Sequence, residues 1–373
     1  MFMKTIVVSA VNLNVGGTLT ILRDCLKYLS GLAEKENYRV VALVHKKELA
    51  FYPHIEYIEM RWPKKAWVAR LWCEYVTMRR ISERLSPVTL WFSLHDTTPR
   101  VVAKYRAVYC HNPFPFYCWR MCEWLFSPKV VLFSLFSKFA YRVNIHCNTY
   151  VVVQQQWIRE EFIRLFQIDN SKIIVAPPSS GRSISESSSV HTNKKVQEYR
   201  FLFAASPNSH KNFECFCEAV QMLHQQYPEM KFRADITLKG DENNYSKWLY
   251  KRWGSNLPPL HFIGFQDRER LYSYYHCCDC LVFPSKVETW GLPIAEFGTF
   301  GKPMLLADLP YAYETSGGCS QVAFFHPERP GELAEKMLRL MKGERSFLAD
   351  IEKKSIQSPK AESWEELFKI LLA

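Results

Sequence analysis

Two glutamates eight positions apart, Glu288 and Glu296, carry the clearest chemical signal, inside FPSKVETWGLPIAEFGTFGKPMLLADLP at 283–310. A turn holding Gly291 and Pro293 separates the first from a helix that carries the second. Glu288 therefore projects from a strand-to-helix loop, where open α/β sheets bind their ligands. The backbone N–H groups of Trp290, Gly291 and Leu292 would open that helix, and such an end attracts a diphosphate. Gly291, without a Cβ, lets phosphate oxygens come close. Isolated glutamates are usually solvated helix residues; this setting favours ligand contact instead.

Presenting such a loop requires parallel strands alternating with helices. Strands are expected at Thr5–Ser9, Arg39–Val44, Ile55–Met60, Val88–Phe92, Ala107–Cys110, Tyr150–Val153 and Lys172–Val175. Helical stretches at Thr18–Glu34, Lys64–Leu85, Phe116–Phe126 and Gln154–Phe166 separate them. Residues 177–198 are rich in Pro and Ser and read as a linker or exposed loop. A second series follows, with strands at Arg200–Ala205, Arg233–Leu238, His261–Ile263, Cys280–Phe283, Met304–Ala307 and Val322–Phe325. Its helices fall at Lys211–Tyr227, Tyr245–Trp253, Arg268–Cys277, Pro293–Phe300 and Gly331–Met341. Continuous apolar strands between helices imply sheets covered on both faces. The expected organisation is two doubly wound α/β domains, 1–176 and 199–345, facing a cleft, with 346–373 returning as a helical tail.

The chain has 373 residues, 48% hydrophobic and 23% charged, which excludes disordered, collagen-like and small disulfide-rich classes. Its net charge of +11 is lopsided. Residues 1–175 hold 24 Lys and Arg against 13 Asp and Glu, and the rest balance. One domain is thus expected to face an anionic surface or substrate. The N-terminus reads as a strand rather than a leader, and no run of 18 apolar residues occurs. A cytoplasmic setting with reduced thiols is expected. His276, Cys277, Cys278 and Cys280 lack zinc-site spacing, so no metal is expected there.

The stretch from Phe283 to Pro303, with Glu288-Thr-Trp-Gly-Leu, Glu296 and Gly301-Lys-Pro, resembles the Glu-x7-Glu signature of retaining glycosyltransferase family 4. That resemblance implies the GT-B fold, two Rossmann-like domains with the donor on the second. It implies that Glu288 hydrogen-bonds the donor sugar and Glu296 the ribose hydroxyls. Lys211, in Ser206-Pro-Asn-Ser-His-Lys-Asn, would neutralise the diphosphate; Ser206 stands where the family often has arginine, and His210 could add charge. Gly16 and Gly17 resemble the family's glycine loop, and His111 its cleft histidine. Gly264 and Phe265 would lie near the base, and Thr289 would join the residues that bind the donor. No Asp-x-Asp pair occurs, so metal-independent transfer without cofactors is expected.

Residues 61–84 mix Trp62, Trp67 and Trp72 with Lys64, Lys65, Arg70, Arg79 and Arg80, and 114–142 repeats the mixture. Such faces suit an anionic membrane surface. With the family resemblance, this implies a lipid-linked or oligosaccharide acceptor in surface polysaccharide synthesis (lipopolysaccharide O-antigen or capsule). The enzyme would lie peripherally on the inner face of the cytoplasmic membrane. The rivals are an epimerase or phosphorylase of the same fold, a silent sugar-nucleotide or membrane-binding module, and a nucleic-acid binder. Nucleic acid is not expected, because no motif for it accompanies the charge.

Overall fold

The structure, a computed structural model, describes residues 3–14, 16–117, 119, 121, 123–126, 128–178 and 198–373. Strands β1 (Lys4–Ala10), β2 (Tyr38–Val44), β3 (Ile55–Glu59), β4 (Val88–Ser93), β5 (Tyr105–Cys110), β6 (Tyr150–Val153) and β7 (Ile173–Val175) form one sheet. Its order is 3-2-1-4-5-6-7, and every pairing is parallel. Strands β8 (Tyr199–Phe203), β9 (Phe232–Ile236), β10 (Leu260–Phe262), β11 (Cys280–Phe283), β12 (Met304–Ala307) and β13 (Val322–Phe325) form a second, in the order 10-9-8-11-12-13, again all parallel. Both are doubly wound, Rossmann-like sheets, as the sequence leads one to expect.

Both faces of the first sheet are buried, as period-two side chains require. Ile6, Val8 and Ala10 of β1 point to one core, with Leu22, Leu26 and Leu29 of the helix Gly16–Lys35 and Leu367, Phe368 and Leu371 of the last helix, Trp364–Leu372. Val7 points to the other, with Val41, Leu43, Trp91, Cys73 and Met78.

The chain forms two compact units. One comprises Met1–Pro115, Phe136–Ser179 and Ile356–Ala373; the other comprises Phe116–Leu135 and Ser180–Ser355. The expected boundaries put 116–135 in the first domain, yet this stretch clusters with the second. Glu123 is the reason: it is 1% exposed and ion-paired with Lys286 at 3.3 Å, while Tyr117 donates to it at 2.8 Å. Most of the expected linker, 179–197, lies outside the described residues. In the first unit the tail is held by a fully buried Arg159, whose guanidinium donates to the carbonyls of Gln357, Ser358 and Asn170 at 2.8–2.9 Å.

Where the helices differ from expectation, the reason is local. The single helix expected over Lys64–Leu85 is a 3-10 turn (Trp62–Lys65), a helix (Trp67–Trp72), a π turn (Cys73–Thr77) and a second helix (Met78–Arg84). The π turn adds a residue, and each residue turns the face by about 100°. Trp67 and Leu71 therefore point outward while Met78 is buried. Between Phe116 and Phe126 the described helical structure is a 3-10 turn at Phe114–Phe116 and a helix at Glu123–Phe126. Pro128–Arg142 is a helix that no amphipathic stripe announced, since Leu132, Leu135, Phe136 and Phe139 are exposed beside buried Val131. In the second unit the helix Arg268–Cys277 ends on Lys302, whose ammonium donates to the carbonyls of Tyr275, His276 and Cys278 at 2.6–3.1 Å. A cation closing a helix C-terminus satisfies its orphan carbonyls. Lys302→Met should cost about 1–2 kcal/mol, seen as a lower unfolding midpoint for the second unit in a denaturant titration.

Candidate functional site

In the second sheet, β8 and β11 lie side by side, and the chain leaves them toward opposite edges. The crevice beyond their carboxyl ends is the switch point of such a sheet. Two loops meet there, Ser209–Lys211 after β8 and 284–291 after β11. Lys211 Nζ lies 2.5 Å from Glu288 Oε1, and the same oxygen accepts from Ser285 Oγ at 2.6 Å. Ser285 is fully buried, and its carbonyl accepts from Tyr311 OH at 2.6 Å. Asn212 stitches the loops, its Nδ2 donating to Pro284 O at 3.0 Å and Pro327 O at 2.7 Å. The Lys286 N–H donates to His210 O at 2.8 Å. The two expected residues are thus brought together across 77 positions of chain.

Glu288 and Lys211 sit mostly buried, with 11% and 14% of their side chains exposed. His210 beside them is pushed well below the usual histidine range by burial, then by the charges of Lys211 and Lys286. It stays neutral near pH 7 and brings no positive charge to the site, contrary to the sequence expectation.

Glu296 stands on the seven-residue helix Leu292–Gly298. Tyr275 OH donates to its Oε2 at 3.3 Å. Burial raises its carboxyl above the usual range, while the Arg268 charge and the Tyr275 hydrogen bond pull it back. Gly291 precedes the helix at φ 83°, a left-handed geometry suited to glycine. Its carbonyl accepts from Ile294 N–H at 3.0 Å. Pro293 has no N–H and is not among the expected donors, which are the N–H groups of Trp290, Gly291 and Leu292 just before it. Thr315 Oγ1 donates to the carbonyl of Trp290, and Trp290 Nε1 is buried without a partner among the described residues. Thr289 and Leu292 are half-buried in the same loop. Gly264, at φ 72°, follows β10 with its N–H on Leu238 O, and Phe265 is 87% exposed.

The remaining expected residues belong to the first unit. Gly16, at φ 62°, and Gly17 open the helix after β1. His111 follows β5; Asp96 holds it, accepting from the N–H groups of His111 and Asn112 at 2.7 and 2.9 Å and from Tyr141 OH at 3.0 Å. Trp62 packs against the core and Arg79 pairs with Glu83, whereas Lys64, Lys65, Trp67 and Arg80 are exposed. Arg70 is pinned to Glu74 at 2.8 Å. Sequence reasoning missed Ser285, Asn212, Tyr275, Arg268 and Tyr311; Ser285, three residues before Glu288, and Asn212, directly after Lys211, lay in motifs that could have marked them. Among the described residues no group of three metal-ligating side chains gathers, and no helix is long and apolar enough to cross a membrane.

Residues 185–358 match the family model described as Glycosyl transferases group 1. The O-antigen chain mannosyltransferase RfbU of Salmonella typhimurium is 20% identical over 225 residues, covering 59% of this chain and 56% of that protein. The chain thus spans about half the length of the curated relatives it matches. Among solved structures, WaaG, a glycosyltransferase involved in lipopolysaccharide biosynthesis, superposes with a TM-score of 0.61 at 15% identity, over 89% of this chain and 90% of that one. HepE of Anabaena, in complex with UDP-glucose, gives 0.58 at 15% identity over 94% and 93%. These likenesses place the fold in the GT-B class.

Proposed function

We propose that this protein is a retaining, metal-independent glycosyltransferase of the Glu-x7-Glu type. It would move a sugar from a nucleotide-sugar donor to a lipid-linked or oligosaccharide acceptor during surface polysaccharide synthesis. The observation that carries the reading is the Lys211–Glu288–Ser285 cluster at the switch point of the second sheet, with Glu296 eight residues on. The relatives' roles in O-antigen and lipopolysaccharide synthesis, and the UDP-glucose held by HepE, support it.

In this reading the second unit binds the donor. As the anomeric bond breaks, negative charge grows on the diphosphate, and a fixed cation stabilises it as it develops. Lys211 supplies that cation, and Glu288 faces the sugar as positive charge gathers on its ring. The ionised Glu296 accepts from the ribose hydroxyls. The acceptor falls to the basic first unit. Trp67, Val68, Leu71 and Trp72 are more than half exposed beside Lys64 and Lys65, a face suited to an anionic membrane.

A thermal-shift screen with UDP, GDP, dTDP, CDP and ADP tests the donor site. At about 100 times its dissociation constant, one nucleotide should stabilise the fold by roughly 2.7 kcal/mol, and Glu296→Ala should abolish the shift. Stabilisation by none of them would end the donor-site reading. The same binding should depend on pH. Glu296 must be ionised to accept, and its raised carboxyl protonates earlier as pH falls. Nucleotide affinity should therefore drop on an acid limb above the ordinary carboxylate range, and Arg268→Ala should move that limb to higher pH. The sign for stability is opposite. A carboxyl raised in the fold favours folding while protonated, and that contribution fades as pH rises through its folded pKa.

A further inference from the structure

The helix Arg268–Cys277 turns two of its side chains toward Glu296. Arg268 and Tyr275 stand two helical turns apart and so share a face. The Arg268 charge acts on the Glu296 carboxyl, and Tyr275 OH donates to Oε2 at 3.3 Å. Among the described residues no hydrogen bond reaches Oε1, and Glu296 is only half-buried. One oxygen is held from within the protein, and the other faces outward to a ligand.

The Tyr275 ring has no room to swing away. It is fully buried, with ring centroids of Tyr272 and Phe297 at 5.5 Å and Phe300 at 5.9 Å. Phe297 follows Glu296 on its own helix, so the two helices interlock beside the pair that hydrogen-bonds. Burial, and then the Glu296 charge, push the Tyr275 hydroxyl far above its ordinary value. It keeps its proton and remains a donor to the carboxylate. Packing alone asks for no hydroxyl here, since phenylalanine would fill the same space.

A second tie joins the same two helices. After Leu292–Gly298 the chain turns through Gly301, at φ 61°, and Lys302 reaches back to the end of Arg268–Cys277. Its three donors meet three carbonyls, those of Tyr275, His276 and Cys278 at 3.1, 2.6 and 2.7 Å. Gln321 fixes the turn from the other side, Nε2 donating to Gly301 O at 2.6 Å. Tyr275 is therefore held at its carbonyl by Lys302 and at its ring by aromatic neighbours, which leaves the hydroxyl aimed at Glu296.

We propose that Tyr275 is the positioning residue of Glu296, fixing its carboxylate for the ribose hydroxyls, and that Lys302 holds Tyr275 in register. This rests on the reading of Glu296 as the ribose acceptor. It gives the lysine that closes a helix end a second role, in donor binding. Neither residue touches the ligand, and both act through Glu296. Among the described residues the groups acting on the Glu296 charge are Arg268 and Tyr275, and both favour the ionised form against burial. Removing the hydroxyl raises the carboxyl further, so the acid limb of nucleotide binding moves to higher pH.

Calorimetric titration with UDP, GDP, dTDP, CDP and ADP over a pH series tests it. Tyr275→Phe keeps the ring and removes one oxygen. It should move the acid limb up by about one pH unit, the weight of one hydrogen bond to a charged group. Above the limb it should weaken binding roughly threefold. Inorganic pyrophosphate, which has no ribose, should bind Tyr275→Phe as it binds wild type, and Glu296→Gln should show no limb. Lys302→Met should shift the limb in the same direction, yet add little in the Tyr275→Phe background, where it has nothing left to act through. Should Lys302→Met fail to fold, Tyr275→Phe decides alone. Three results overturn the proposal: an unmoved limb in Tyr275→Phe, equal loss for nucleotide and pyrophosphate, or a limb that survives Glu296→Gln. Additive effects of Lys302→Met and Tyr275→Phe overturn the part given to Lys302. Binding that depends on Glu296 but ignores Tyr275 leaves the donor reading standing; if no nucleotide binds wild type, that reading falls and this one with it.

Discussion

Replacing Glu288 with glutamine is expected to lower turnover by about 10²–10⁴-fold, the range for a positioned acid or base group. The substitution keeps side-chain volume and removes only charge. Glycosyl transfer gathers positive charge on the sugar ring, and interactions that strengthen only in the transition state act on turnover rather than on binding. Lys211 would also lose its partner at 2.5 Å and be freed for phosphate. Nucleotide affinity should therefore hold or rise while turnover collapses. Lys211→Ala should do the reverse to affinity, weakening the nucleoside diphosphate by roughly ten- to a hundredfold. Initial rates and thermal shifts, with the nucleotide found in the screen, separate the two. Turnover of Glu288→Gln within threefold of wild type would remove Glu288 from the chemistry.

Arg159→Met should produce the largest loss of stability. Its guanidinium is fully buried and, among the described residues, pairs with no carboxylate; three backbone carbonyls receive its hydrogen bonds. Hydrogen bonds to a charged group contribute about 1.5–3 kcal/mol each. The Gln357 and Ser358 residues are exposed and regain water when the bonds are lost. A net cost of about 2–4 kcal/mol follows, lowering Tm by roughly 5–15 °C for a unit of this size. Val175 N–H donates to Pro359 O and Ala361 N–H to Val175 O next to this clamp. Protease cleavage ahead of Ile356 should therefore release the final helix from the variant faster than from wild type. Lysine cannot fork between three carbonyls, so Arg159→Lys should recover little. A melting curve within 2 °C of wild type would show that apolar packing of Leu367, Phe368 and Leu371 holds the tail unaided.

The sequence by itself determined the strands. Runs such as Tyr150–Val153, Cys280–Phe283, Met304–Ala307 and Val322–Phe325 are apolar on both faces, a pattern that only a covered parallel sheet satisfies, and each falls where it was expected. It also determined that Glu288 stands on a loop after a strand and Glu296 on the helix that follows, because a Gly-Leu-Pro turn allows little else. Tertiary structure decided everything that depends on residues far apart in the chain. The pairing of Lys211 with Glu288 needs β8 and β11 to be neighbours, and no local pattern states strand order. The inward swing of Glu74 comes from a π turn that a 3.6-residue period cannot express. Residues 116–135 join the second unit because a buried Glu123 finds Lys286, 163 positions away. Local periodicity encodes burial along one element; a hydrogen bond between distant side chains exists only once the sheet has set their distance.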